Sequence, residues 1–302
     1  MSRKIIYIAG YSRSGSTILD ILLGSHPGIF GTGELVYLFG DWVNSARKCT
    51  CGKQYEQCDF WKDFKLPGEI SFENAIDIIR KVEGRKQVEI LEKGKISNGD
   101  TEAYALVQNA LYNYIFDTSK SNIIVDSSKS SRDMAGRFYA LHQYTGFDVY
   151  VIHLVKNGLS IVESYVTKGR NWAMEGYGKN DRFLAARSSA GWLLANKIAM
   201  KLGAKMPEGR YMRMRYEDLA IDPQKKLQEI GEFVNIDLSE LSNQIAAGTA
   251  FSVQHNVGGN RLRLENEIKF KISKGLKKID LSSKDRLVFN LIAGRLNRSF
   301  GY

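Results

Sequence analysis

Between a short β-rich run, Lys4–Ala9, and an apolar stretch, Ile18–Leu23, the chain reads Gly10-Tyr-Ser12-Arg13-Ser14-Gly15-Ser16-Thr17. The glycine spacing and the closing Thr are those of a phosphate-binding loop. In such a loop backbone N–H groups turn inward and the following helix points its positive end at an anion. Ser16 stands where an ATP or GTP enzyme carries the Lys that reaches the β- and γ-phosphates. Arg13 supplies a permanent cation just before Gly15 instead. The chemistry this predicts is binding of a different phosphorylated donor by Ser12, Arg13, Ser14, Gly15, Ser16 and Thr17. The plainer readings are a tight strand–helix turn and, for Arg13, a surface ion pair.

Three further groups carry chemical options. Glu34 follows Gly31-Thr32-Gly33 and can act as a base, or merely sit at the positive end of a helix over Leu35–Val43. Asp126-Ser127-Ser128-Lys129 ends the apolar run Ile123–Val125. An Asp there could hold Mg²⁺ in a kinase, whereas the serines could cap a helix. Cys49, Cys51 and Cys58 have a spacing of weak metal-binding character. Zinc takes four ligands and no nearby His completes the set, His26 being the nearest in sequence. A disulfide or buried thiols are therefore expected, and no metal site.

These groups need elements to hold them. Lys4–Ala9, Asn122–Val125, Val149–Leu154 and the weaker Arg210–Met214 read as strands. Helical segments follow them at Ser16–Leu23, Arg132–Tyr144, Leu159–Lys168 and Pro223–Val234, with a closing helix near Ser283–Leu296. Strands alternating with helices predict an α/β three-layer fold with a central parallel sheet. Ligands then bind beyond the carboxyl ends of the strands, near Gly10, Asp126 and Val155. Residues 41–100 fit this rhythm poorly and read as a cap inserted beside the site, within one domain spanning residues 1–302. Trp172, Trp192, Tyr165 and Tyr177 read as core rather than as a platform for a base.

Composition narrows the partners. The chain has 302 residues, with 43 Lys and Arg against 33 Asp and Glu, a net charge of +10 that asks for an anionic partner. No apolar run is long enough to span a membrane. With three cysteines and a strand starting directly after Met1–Arg3, a cytoplasmic location is expected.

Four segments, in chain order, resemble sulfotransferases. Gly10–Thr17, followed by Leu19, His26-Pro27 and Gly33-Glu34, is similar to their 5′-phosphosulfate loop, particularly in the tyrosylprotein and bacterial carbohydrate-type branch with Arg in the loop. Val151–Gly158 with Ser164 resembles the 3′-phosphate motif, Lys156 and Asn157 replacing Arg and Asp. Tyr216-Glu217-Asp218-Leu219 with Asp222-Pro223 resembles a third family segment, and His255 through Gly258-Gly259-Asn260 to Arg263 the loop that closes over the nucleotide.

The resemblance implies a P-loop-like fold with 3′-phosphoadenosine-5′-phosphosulfate (PAPS) as donor and adenosine 3′,5′-bisphosphate as product. It implies in-line transfer to an acceptor hydroxyl on a glycan, peptide, lipid or small metabolite, without a metal. Arg13 and the loop amides would meet the sulfonate and 5′-phosphate, and Lys129 the sulfonate. Glu34 would be the base, with His26 its rival. Lys156 and Ser164 would hold the 3′-phosphate, and Asn260 and Arg263 would close the site. Lys at position 156 keeps the charge but not the guanidinium fork, and Asn157 can still cap a helix. The competing expectations are an NTP-dependent small-molecule kinase, which Ser16 opposes, and a nucleic-acid-binding protein, which only the charge supports.

Overall fold

Lys4–Ala9 alternates its buried side chains between two apolar clusters: Ile5, Tyr7 and Ala9 enter one, Ile6 and Ile8 the other. A strand apolar on both faces belongs in the middle of a covered sheet, and this one, β1, does. In this computed structural model, which describes residues 3–45, 47–130, 134–167, 183–265 and 267–302, β1 pairs in parallel with β3 (Ile123–Asp126) and β4 (Asp148–Val155). The short β2 (Ile29–Gly31) lies outside β3, and β5 (Tyr211–Arg215) outside β4. The order is β2-β3-β1-β4-β5, all parallel.

Helices cover both faces. One face packs on α3 (Phe72–Glu83), α5 (Asn98–Ser119), α6 (Arg137–Tyr144) and α8 (Leu184–Gly203) through Ile79, Leu111, Phe138 and Leu202. The other packs on α1 (Ser16–Gly24), α10 (Pro223–Val234) and α11 (Ser239–Ala246) through Leu22, Ile230 and Ile245. A third cluster, with Val155, Trp192, Phe289 and Phe300, joins α7 (Gly158–Thr167) and α12 (Ser283–Ser299) to the end of β4. Trp192 is core, as the sequence implied; Trp172, Tyr177 and the expected helix end at Lys168 lie outside the described residues.

The expected strands fall within one residue of β3, β4 and β5. Residues 41–100 hold more regular structure than the sequence implied. They include most of α2 (Leu38–Asn44), then α3 and α4 (Val88–Glu92), with Ser71 capping α3 by accepting from Asn74 N–H. Ala75, Ile79 and Val82 join the same apolar cluster as β1, so this segment forms part of a helical layer on the sheet.

Candidate active site

The loop after β1 takes the conformation that anion binding requires. Arg13 (φ 68°) and Gly15 (φ 95°) are left-handed, which turns the intervening N–H groups to one side. Gly15 is the N-cap of α1 and gives it no side-chain cap, and the first turn has no acidic residue, so the helix N-terminus is left for an anion. The hydroxyl of Ser14 is buried without a hydrogen-bond partner, an orphan that a phosphate oxygen would satisfy. Gly15 is also packed tightly: a methyl group there would lie 2.1 Å from Cδ2 of Tyr216.

Tyr216, from the Tyr-Glu-Asp-Leu segment at the start of α9 (Tyr216–Ile221), links the loop to the second expected anion site, because Lys156 Nζ lies 4.3 Å from its ring centroid. Arg13 reaches the same place from the other side, donating to Ser164 Oγ (2.5 Å) and to the Ser164 carbonyl, with its guanidinium 4.5 Å from the Tyr165 ring centroid. Arg13, Lys156, Ser160 and Ser164 line one cleft of about 510 Å³ together with Lys277 and Lys278. Asn157 does cap α7: its side-chain oxygen accepts from Leu159 N–H at 3.0 Å, and its own N–H donates to Glu217 at 3.1 Å.

Glu34 and Lys129 meet in a buried ion pair, Nζ to Oε1. Each is held by backbone. Glu34 N–H donates to Val257 O at 2.6 Å and Val257 N–H to Thr32 O at 2.7 Å, which pins the Gly-Thr-Gly-Glu turn to the late loop. Lys129 is left-handed (φ 72°), an uncommon conformation for a side-chain-bearing residue, and its carbonyl accepts from Tyr7 O–H. The flanking serines tie it to both loops: Gly10 N–H donates to Ser130 Oγ at 3.2 Å and Val36 N–H to Ser128 Oγ at 3.1 Å. The late loop completes the pocket. A methyl group at Gly259 would lie 3.5 Å from Thr17 Oγ1 and 3.7 Å from Glu34 Oε1, and Asn260 N–H points to Thr17 Oγ1 at 3.4 Å.

Other candidates are elsewhere or already engaged. His26 follows the C-terminal end of α1 and accepts from Gly28 N–H at 3.0 Å, as a helix-terminating residue does, whereas the anion loop is at the other end of that helix. Arg263 is buried and donates to the carbonyls of Lys48 and Asn256. Asp126, the residue on which a Mg²⁺-dependent kinase would rely, accepts from Tyr112 O–H (2.6 Å), Ser128 N–H (2.9 Å) and Arg137 Nε (2.9 Å) in a fully buried network.

One organising residue escaped the sequence reading. Asp20, fully buried on α1, accepts from Gly33 N–H at 3.0 Å and from Asn256 Nδ2 at 2.8 Å, holding the Glu34 turn and the late loop against the anion loop's helix. Burial pushes its carboxyl up to about 7, against the opposing hydrogen bonds from Ser127, Gly33 and Asn256.

A cleft at the carboxyl ends of parallel strands, beside a loop of this form, is where a nucleotide binds in open α/β sheets. The chain belongs to the sulfotransferase family, whose family model matches residues 6–240, and it is a PAPS-dependent sulfotransferase. Among solved structures it is similar to the sulfotransferase domain of the Synechococcus PCC 7002 olefin synthase, at 21% identity over 100% of this chain and 95% of that one, with a TM-score of 0.51. It is also similar to the sulfotransferase domain from the curacin biosynthetic pathway, at 18% identity over 95% and 96% of the two chains, with a TM-score of 0.50. At these identities the two structures speak to the fold alone. No curated protein matches the sequence.

Proposed function

We propose that PAPS lies across the ends of β1 and β4, with its phosphosulfate in the Gly10–Thr17 loop and its 3′-phosphate in the cleft of Lys156, Ser160 and Ser164. The observation that carries this reading is the convergence of Arg13 on Ser164 beside Lys156, which joins two anion sites instead of offering one. Lys277 and Lys278 border the second, Lys277 in an ion pair with Glu163 at 3.2 Å. In this scheme Arg263 is a strap that holds the late loop, and the whole chain works as one domain with residues 41–100 as its cap.

The transfer itself follows from the Glu34–Lys129 pair. As donor and acceptor enter, the Lys129 ammonium shifts to the sulfonate oxygens and the Glu34 carboxylate is released to the acceptor hydroxyl. The acceptor oxygen forms its bond to sulfur as the bond from sulfur to the 5′-phosphate oxygen breaks. Glu34 takes the hydroxyl proton, while Arg13 and the loop N–H groups neutralise the charge growing on the leaving phosphate. Arg13 and Lys129 supply the charge stabilisation that Mg²⁺ provides in kinases, so the transfer step calls for no metal.

The acceptor is a hydroxyl compound. A cleft of about 340 Å³ lined by Tyr11, Ser130, Gly191, Leu194, Arg85 and Arg187 borders the Lys129 turn and supports entry from that side. The three free thiols and the lack, among the described residues, of a helix long and apolar enough to cross a membrane fit a cytoplasmic enzyme.

Retention on immobilised adenosine 3′,5′-bisphosphate, compared with ATP and duplex-DNA columns, tests the reading. The chain should bind the bisphosphate column most tightly. Preferential retention on ATP would restore the kinase alternative, and preferential retention on DNA the nucleic-acid one.

A further inference from the structure

Cys49, Cys51 and Cys58 lack a fourth partner in sequence, but the fold brings one to them. His255, about 200 positions further along, places Nδ1 3.5 Å from Cys49 Sγ and 3.2 Å from Cys58 Sγ. Cys51 Sγ lies 3.6 Å from Cys58 Sγ, and all four ligand atoms fall within 4.8 Å of one another. A tetrahedral zinc ion with Zn–S near 2.3 Å and Zn–N near 2.0 Å requires S···S separations of about 3.8 Å and S···N of about 3.5 Å. A disulfide requires sulfurs about 2.05 Å apart. All three cysteines are free thiols, with Cys49 and Cys58 buried and Cys51 exposed.

We propose that Cys49, Cys51, Cys58 and His255 form a structural zinc site that fastens the cap to the loop closing the active site. Three thiolates and one imidazole with no open position are a donor set for zinc that holds structure and does no chemistry. The surroundings fix Cys49 and His255. Cys49 begins a tight turn in which Gly52 N–H donates to Cys49 O at 2.9 Å and Cys49 N–H to Lys53 O at 3.0 Å, with Gly52 left-handed at φ 83°. Phe60 stacks on the His255 ring, centroids 5.3 Å apart and 13° from parallel, and Trp61 Nε1 donates to the His255 carbonyl at 3.2 Å.

The residues beside His255 are those that build the catalytic pocket. Gln254 accepts from Gly31 N–H at 2.7 Å, Asn256 binds Asp20, and Val257 pairs with the Glu34 turn. Thr50, between two of the cysteines, donates to Gln254 O and accepts from Asn256 N–H at 3.1 Å. Zinc at this point ties residues 49–58 to residues 254–257, and through them to Glu34.

The test uses the full chain, produced with zinc in the medium and purified without chelator. Its metal content is measured by mass spectrometry and its thiols by a colorimetric disulfide reagent. The site predicts about one zinc per chain, with the three thiols protected until EDTA is added and all three reactive afterwards. Cys58→Ser and His255→Ala should each lose the zinc. A wild-type chain without zinc and with thiols that react at once overturns the proposal. So does full zinc retention in both variants, folded by circular dichroism. Should the variants not fold, Co²⁺ exchanged into the wild-type chain decides: intense thiolate-to-cobalt absorption is expected, and its absence overturns the site. None of these readouts uses nucleotide or acceptor, so the result stands apart from the transferase reading.

Discussion

Glu34 is paired with Lys129 in a buried site, whereas Arg13 lies in the anion loop, and Glu34 and Arg13 are expected to fail differently when altered. Glu34→Gln keeps shape and hydrogen bonding but removes basicity, so turnover should fall by roughly 10²–10⁴-fold with nucleotide affinity nearly unchanged. Arg13→Ala should lose both turnover and donor affinity, since its charge meets the phosphosulfate in ground and transition states alike. Loss of activity in His26→Asn with most turnover kept in Glu34→Gln would reverse the assignment of the base. Asp20 gives a pH test. Its carboxyl titrates near 7 when folded and near 3.8 when unfolded, so between those values the folded state holds the extra proton. That stability is present below the unfolded value and is lost as pH rises through about 7, on the order of 4 kcal/mol at most. Asp41 and Glu83 are also pushed up by burial and act in the same direction, which makes the comparison with Asp20→Asn the informative one. The melting temperature of the wild type should fall more between about pH 5 and about pH 8 than that of Asp20→Asn, and parallel curves would contradict this account.

At the scale of elements, the site depends on loops that approach more closely than side chains permit. Gly33 has φ 75°, and a methyl group there would lie 2.3 Å from Val257 O, the acceptor for Glu34 N–H. Gly33→Ala should cost at least 1–3 kcal/mol, read from the denaturant midpoint. Gly28→Ala, whose methyl would meet His26 at 3.4 Å, should cost much less, and equal midpoints for the two variants would show that the turn tolerates displacement. The same distinction explains what was legible in the sequence. The loop at 10–17 and strands β1, β3, β4 and β5 announce themselves through contiguous residues with a local period. Strand β2 has three residues and ends in glycine, too short for a period to show. Asp20 and Lys277 act through contacts remote in sequence, which no local pattern encodes, and the motifs that hold Tyr216 and His255 do not reveal what those two side chains touch. The cysteine triplet looked incomplete for that reason: its expected partner was sought nearby, while the fold supplied it from the late loop.

Over the whole molecule, part of the excess of positive charge acquires a place, because Arg13, Lys156, Lys277 and Lys278 border one cleft at the carboxyl end of the sheet, where they outnumber Glu163 and Asp280. Transfer to an acceptor found by screening should not be accelerated by added Mg²⁺, and an absolute Mg²⁺ requirement would contradict the role given to Arg13 and Lys129. On the proposed reading the chain joins a 5′-phosphosulfate loop to a 3′-phosphate pocket, and thermal unfolding with two nucleotides distinguishes such a joined site from a single phosphate site. A ligand at 100 times its dissociation constant stabilises the native state by about 2.7 kcal/mol, or roughly 4 °C for a chain of this size. Adenosine 3′,5′-bisphosphate should give such a shift, adenosine 5′-monophosphate at the same concentration much less, and Lys156→Ala should reduce the first towards the second. Equal shifts from the two nucleotides, unchanged in Lys156→Ala, would contradict the account.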